Sequence, residues 1–183
     1  DVDGATNDVT LNGNVVLGAA ATVSANDLIV GGTVSLGGNT LTANVTGTGT
    51  NITTVISGSG ALTKAGTGTV TLSGANTYTG NTNLNGGTLI VDGSIASADV
   101  ILAANTTLSG SGTVNSQISG TSFTAAIVAT GNLSLGDGSS NGFSTNASLD
   151  VGSHNVTISD SNSATMGDLS IDGGTLNAAG GLG

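Results

Sequence analysis

Cysteine, proline, tryptophan, glutamate and arginine are absent from this chain, and Lys64 is its only cation. Without cysteine there is no disulfide scaffold and no thiolate metal site. Only Tyr78, Phe123 and Phe143 are aromatic, whereas a wide globular core draws much of its burial from large aromatics. The apolar residues are Val, Leu, Ile and Ala, scattered singly or in pairs. They suit a narrow interior of stacked small aliphatics. All eleven anions are aspartates and the formal charge is −10, so the surface repels nucleic acid and anionic membranes. Neither is expected as a partner. No apolar run approaches the ~20 residues that cross a bilayer; none is longer than that at residues 125–129, which is far shorter. Membrane insertion by this segment is not expected.

What remains is glycine (32 of 183 residues), asparagine, serine, threonine and aliphatics. Richness in Val, Ile and Thr fits a pleated, half-buried surface and argues against disorder. Alternation such as Val34-Ser35-Leu36 turns two aliphatics inward around one outward hydroxyl, the period of a half-buried strand. Short strands are predicted at 9–11, 21–23, 28–30, 33–36, 40–42, 62–64, 69–73, 82–85 and 88–92. Further on they are predicted at 147–151, 155–159, 168–171 and 174–177. No window shows apolar residues at helical spacing, and frequent Gly and Asn make helix costly, so essentially none is predicted. Gly-Gly-Thr followed by Val or Leu recurs at Gly31, Gly86 and Gly173, and Ser-Gly-Ser-Gly at Ser57 and Ser109. A turn-plus-strand phrase returning at intervals near twenty, or multiples of it, is the signature of stacked coils.

One stretch, residues 58–93, is more specific. G-S-G-A-L-T-K-A-G (58–66), G-T-V-T-L-S-G-A-N-T-Y-T-G (68–80) and N-G-G-T-L (85–89) resemble the autotransporter-associated β-strand repeat, also called the passenger-associated transport repeat. Lys64, Asn76 and Tyr78 stand in their places for that family, and Asn81 replaces its usual second glycine. The resemblance implies a right-handed parallel β-helix, export to the bacterial cell surface, and a role in passenger translocation or folding. The whole of 1–183 is accordingly read as one all-β solenoid segment of a longer chain, with an irregular coil or protruding loop within 121–142. At ~20 residues per coil and ~4.8 Å per step it would form about nine coils, roughly 40 Å long.

Candidate chemistry is sparse. A polysaccharide lyase on a β-helix needs clustered carboxylates with an Arg or Lys, and this chain has no Arg, no Glu and spread aspartates. No catalytic residue is assigned. His154, in G-S-H-N-V, has no neighbouring nucleophile and reads as a turn residue. Calcium prefers several oxygens together; Asp137 with Asp150 or Asp160 is the weak candidate, against their reading as turn residues. Thr46/48/50 and Thr67/69/71 fall one coil apart, as an ice-matching array would require, but the array does not continue. Stacked outward threonines support any sheet face. Asparagines in the turns are read as bonding to the next coil.

The chain is thus expected to be a non-enzymatic stalk or fibre section without a cofactor. Its partners would be neighbouring coils, or further copies stacked end to end into filaments. The alternative is an adhesin that binds carbohydrate or a host receptor through the side face or the loop at 136–142.

Overall fold

A computed structural model describes residues 7–120, 122, 124–139, 143–159 and 165–180. Among them lie twenty-four strands and no helix. The strands run from two residues, as in Val15–Val16, to five, as in Ala21–Ala25. All their pairings are parallel, and each strand pairs with strands about one coil away in sequence. The result is a solenoid with three faces. The first face is a nine-stranded sheet from Val9–Leu11 to Leu169–Ile171, and the second is a seven-stranded sheet from Ala21–Ala25 to Phe143–Thr145. Nine strands on one face enclose about eight full turns. Hydrogen bonds that step between coils mostly join residues 19 to 23 apart, so turn length varies while strand register is kept.

Alternation along each short strand sends every second side chain inward. On the first face Val70, Leu89, Leu108, Ile127 and Leu149 stand in register as one buried column. On the second, Leu62 lies between Leu41 and Thr82, followed by Val100, Ile118 and Phe143. A fully buried Val, Leu or Ile contributes roughly 1.5–3 kcal/mol, so columns of modest side chains hold the coil stack without aromatics. Each coil touches mainly its neighbours, and stability accumulates locally.

Glycine sets the corners. A Cβ on Gly93 would collide with the carbonyl oxygen of Gly74, and one on Gly112 with that of Gly93. The backbones of successive coils therefore meet there with no room for a side chain.

The third face is broken. Val15–Val16, Val34–Ser35 and Ile56–Ser57 form a three-stranded sheet, and a five-stranded sheet begins at Ser94–Ile95. Between them, residues 73–81 form no strand and contribute one isolated bridge, Ala75 with Ser94.

The threonine register differs from the expected one. Thr50 pairs with Val70 and Thr71 with Asn51, one residue off the anticipated stacking, and Thr50 points into the core. Its hydroxyl accepts the Leu28 N–H at 2.8 Å. Outward threonine rows do form elsewhere, at Thr69, Thr88 and Thr107 on the first face and at Thr22, Thr42 and Thr63 on the second. The segment 121–142 supplies two regular strands, Ala126–Ala129 and Leu133–Leu135. Residues 121, 123 and 140–142 of that segment lie outside the described residues, so the loop expected at 136–142 is described only as far as 139.

Candidate functional site

The break in the third face coincides with the most polar part of the interior. Lys64 ends an alternation that begins at Leu62, so its side chain joins Leu62 on the inner side. In register it lies between Ala43 and Leu84, and it is only 1% exposed. Its ammonium donates to three backbone carbonyls: Ala65 at 2.7 Å, Gly66 at 3.0 Å and Gly86 at 3.1 Å. The first two belong to its own coil and the third to the next. Gly66 turns the corner with φ of 74° and brings those carbonyls round to face the ammonium. Burial pushes the Lys64 ammonium down to about 8 from 10.5.

Asn76 sits in the strandless stretch, where its side chain adds to the backbone bonds that its own N–H makes to Ser94 and that the Thr77 N–H makes to Ile56. Its Oδ1 accepts the N–H of Ile56 in the preceding coil at 2.9 Å. Its Nδ2 donates to Gly74 and Ser94 carbonyls, both at 3.0 Å, so one amide binds three coils. Tyr78 is wholly buried and its hydroxyl lies 2.6 Å from Thr82 Oγ1. Thr82 Oγ1 donates to Ser97 Oγ at 3.0 Å, and Ser97 Oγ lies 2.9 Å from Ser116 Oγ. This chain of hydroxyls runs along the inside through successive coils. Its low-dielectric surroundings hold the Tyr78 phenol well above its ordinary value near 10.

Together these residues form an interior polar seam with paired donors and acceptors. Sequence reasoning placed Lys64, Asn76 and Tyr78 in a motif but did not foresee their inward burial. The period-2 reading of L-T-K carried that signal for Lys64. Ser97 and Ser116 lie in corners, where no periodicity points inward.

Two of the calcium candidates lie among the described residues, and each is bonded within its own turn. The Asp137 carboxylate accepts the Ser139 N–H at 2.9 Å, and that of Asp150 accepts the Gly152 N–H at 3.0 Å, each two residues along its own turn. The Ser139 hydroxyl beside Asp137 does most to hold that carboxyl below its usual range; burial opposes it, and the Ser139 backbone N–H adds a smaller lowering. Asp160 lies outside the described residues. No group of three His, Cys, Asp or Glu side chains able to hold a metal occurs among the described residues. His154 is half-buried in a turn, its N–H bonded to the Val151 carbonyl. Other aspartates bond the next coil: Asp92 accepts the Ser111 N–H at 3.2 Å and its hydroxyl at 3.0 Å, and Asp99 accepts the Ser119 hydroxyl. Asn14 accepts the Thr33 N–H at 3.0 Å in the same manner. An open concavity of about 410 Å³ near the N-terminal end is lined by Asn7, Ser24, Ala25, Asn26, Asn44 and Thr46.

A parallel three-faced solenoid with a polar seam running through adjacent coils defines a class of repeat-built rod segments. Residues 62–91 match the passenger-associated-transport-repeat family. The matched span contains Lys64, Asn76, Tyr78, Thr82 and Gly86, most of the seam. The chain is also 33% identical over 173 residues, 92% of its length, to the adhesin BmaC autotransporter of Brucella suis biovar 1 (strain 1330). It spans about 5% of the length of that relative. No solved structure matches it significantly.

Proposed function

We propose that the chain is a non-enzymatic stalk segment of an exported bacterial surface protein, in which the repeat assists folding of the passenger as it emerges. The observation that carries this reading is the construction of the repeat. Lys64, Asn76 and Tyr78 are each spent on interior bonds, which leaves them no role toward a substrate. The similarity to an autotransporter supports export. Leu169 continues the inner column of Leu149 yet is 41% exposed, and Ile171 nearby is 47% exposed. Such an exposed apolar surface suits a second copy stacked on it. The test of export is protease treatment of intact cells that make the full-length protein. This segment should be degraded from outside, and full protection until the cells are lysed would overturn the reading.

The second reading is adhesion. It is supported by the name of the relative and by the concavity beside Asn26 and Asn44, whose amides and neighbouring hydroxyls suit an uncharged sugar. Glycan-array binding that is lost in Asn44→Ala and Thr46→Ala would favour it, and binding unaffected by both changes would remove this site.

A further inference from the structure

A rod built from chemically similar columns carries a folding hazard. Val70, Leu89 and Leu108 are interchangeable as neighbours in one buried row. A strand that skips a coil and pairs with the one after it meets the same kind of aliphatic. Parallel pairing alone does not specify which coil comes next, just as strands with a uniform pattern specify register weakly.

The seam breaks that equivalence. Lys64 finds its third carbonyl only if the coil bearing Gly86 lies directly against its own. Asn76 needs Ile56 on one side and Ser94 on the other. Thr82 needs Tyr78 and Ser97, and Ser97 needs Ser116. A skipped coil would strand these groups away from their acceptors, and an unpaired buried polar group is costly while a missed aliphatic contact is readily replaced. Single buried polar residues that fix register are the best-attested use of such groups in stacked helices. On the third face the two sheets stop on either side of Asn76 and Tyr78, and backbone bonds such as Thr77 N–H to Ile56 and Asn76 N–H to Ser94 still join the coils there; the side-chain bonds add the selectivity that such backbone bonds lack.

We propose that the polar seam built from Lys64, Asn76, Tyr78, Thr82, Ser97 and Ser116 is a register lock that prevents coil skipping during folding. It rests on the folding role proposed above for the repeat, and it names the error that the repeat suppresses.

The chain has no cysteine, so disulfides can report which coils are neighbours. Thr69, Thr88 and Thr107 form one outward row in three successive coils, clear of the seam. Thr69→Cys with Thr88→Cys reports the native stack. Thr69→Cys with Thr107→Cys reports a skipped coil, because positions two steps apart lie ~9.6 Å apart, beyond disulfide reach. Each pair is refolded from denaturant and oxidised, with the seam intact or with Lys64→Met and Tyr78→Phe together. With the seam intact, only the Thr69/Thr88 pair should cross-link. With it depleted, cross-linking of the Thr69/Thr107 pair should rise at least about tenfold, the ratio that ~1.4 kcal/mol represents. If the Thr69/Thr107 pair stays open while the native pair closes fully in the depleted chain, the lock is refuted. Should the double change leave the chain unfolded, Tyr78→Phe alone, which removes one hydroxyl, is read by the same criterion. The assay uses purified protein, so a chain that is not exported but shows the skipped cross-link would overturn the export reading and leave the lock standing.

Discussion

Lys64 and Tyr78 titrate in opposite senses, and together they give the rod a characteristic response to alkali. The Lys64 ammonium is held down to about 8, while in the unfolded chain it keeps its proton up to 10.5. Between those values the unfolded state binds more protons, so stability rises with pH. Tyr78 has the reverse linkage: buried, it stays protonated well above 10, whereas the unfolded phenol ionises near 10. Stability is therefore lost as pH climbs beyond about 10. Urea midpoints should increase from pH 8 to about 10 and then fall. Lys64→Met should flatten the rise and Tyr78→Phe should remove the fall; a midpoint constant from pH 7 to 11 in the parent chain would contradict both assignments. Apart from its pH dependence, Tyr78→Phe should cost about 1 kcal/mol for the lost hydroxyl bond. Glycine acts at the same scale. Gly112→Ala places a Cβ against the Gly93 carbonyl oxygen, and since backbone cannot step aside cheaply, a loss of about 1–3 kcal/mol is expected in denaturant titration. Ala in place of Gly13, where nothing lies within 4 Å, should be close to neutral by comparison.

At the scale of elements, alternation located many of the strands of three or more residues but missed others, among them Thr50–Ile52, Asp99–Leu102, Gln117–Gly120 and Leu133–Leu135. Leu28–Val30 and Val9–Leu11 fall where alternation put them, and most others that it located are displaced by a residue or two. The third face was mostly not legible, because strands such as Ile56–Ser57 and Thr113–Val114 are two residues long and carry no period. Phrase spacing gave the coil length but not the register. Thr46-Gly-Thr48 and Thr67-Gly-Thr69 suggested a step of twenty-one, whereas hydrogen bonding sets Val70 opposite Thr50. A phrase can repeat in the turn while the strand after it shifts by one, since corner residues are added or lost without cost to the columns. The polar seam was legible as a motif and hidden as a site: the residues were in plain view, and their inward direction came from neighbours in other coils. Turn aspartates behave as local staples between adjacent coils. The Asp92 carboxylate holds the Ser111 N–H and hydroxyl, bonds worth about 1 kcal/mol together in an exposed setting. Asp92→Ala should raise amide exchange at Ser111 about fivefold and leave coils beyond its neighbours unchanged. Uniformly faster exchange along the rod would show that coils are not energetically local.

For the whole molecule, the balance lies between exposed apolar surface and charge of one sign. Leu169, in register with the inner column, and Ile171 beside it are substantially exposed. Such an apolar surface favours stacking of copies, and a head-to-tail contact that does not close propagates into a filament. The formal charge of −10 opposes it, because each added copy brings more aspartates alongside others. That repulsion is screened over ~30 Å at 0.01 M salt but over only ~8 Å at 0.15 M, whereas apolar burial is little affected. Association should accordingly strengthen with ionic strength, the opposite of an assembly held by ion pairs. Sedimentation of the purified segment should show monomers at ~0.01 M salt and longer rods at ~0.15 M, with electron micrographs showing extension along one axis. Leu169→Lys with Ile171→Lys should restore monomers at the higher salt without loss of the β-sheet circular dichroism signal. Monomers at every salt concentration, or rods that shorten as salt is added, would rule out end-to-end stacking through this apolar surface.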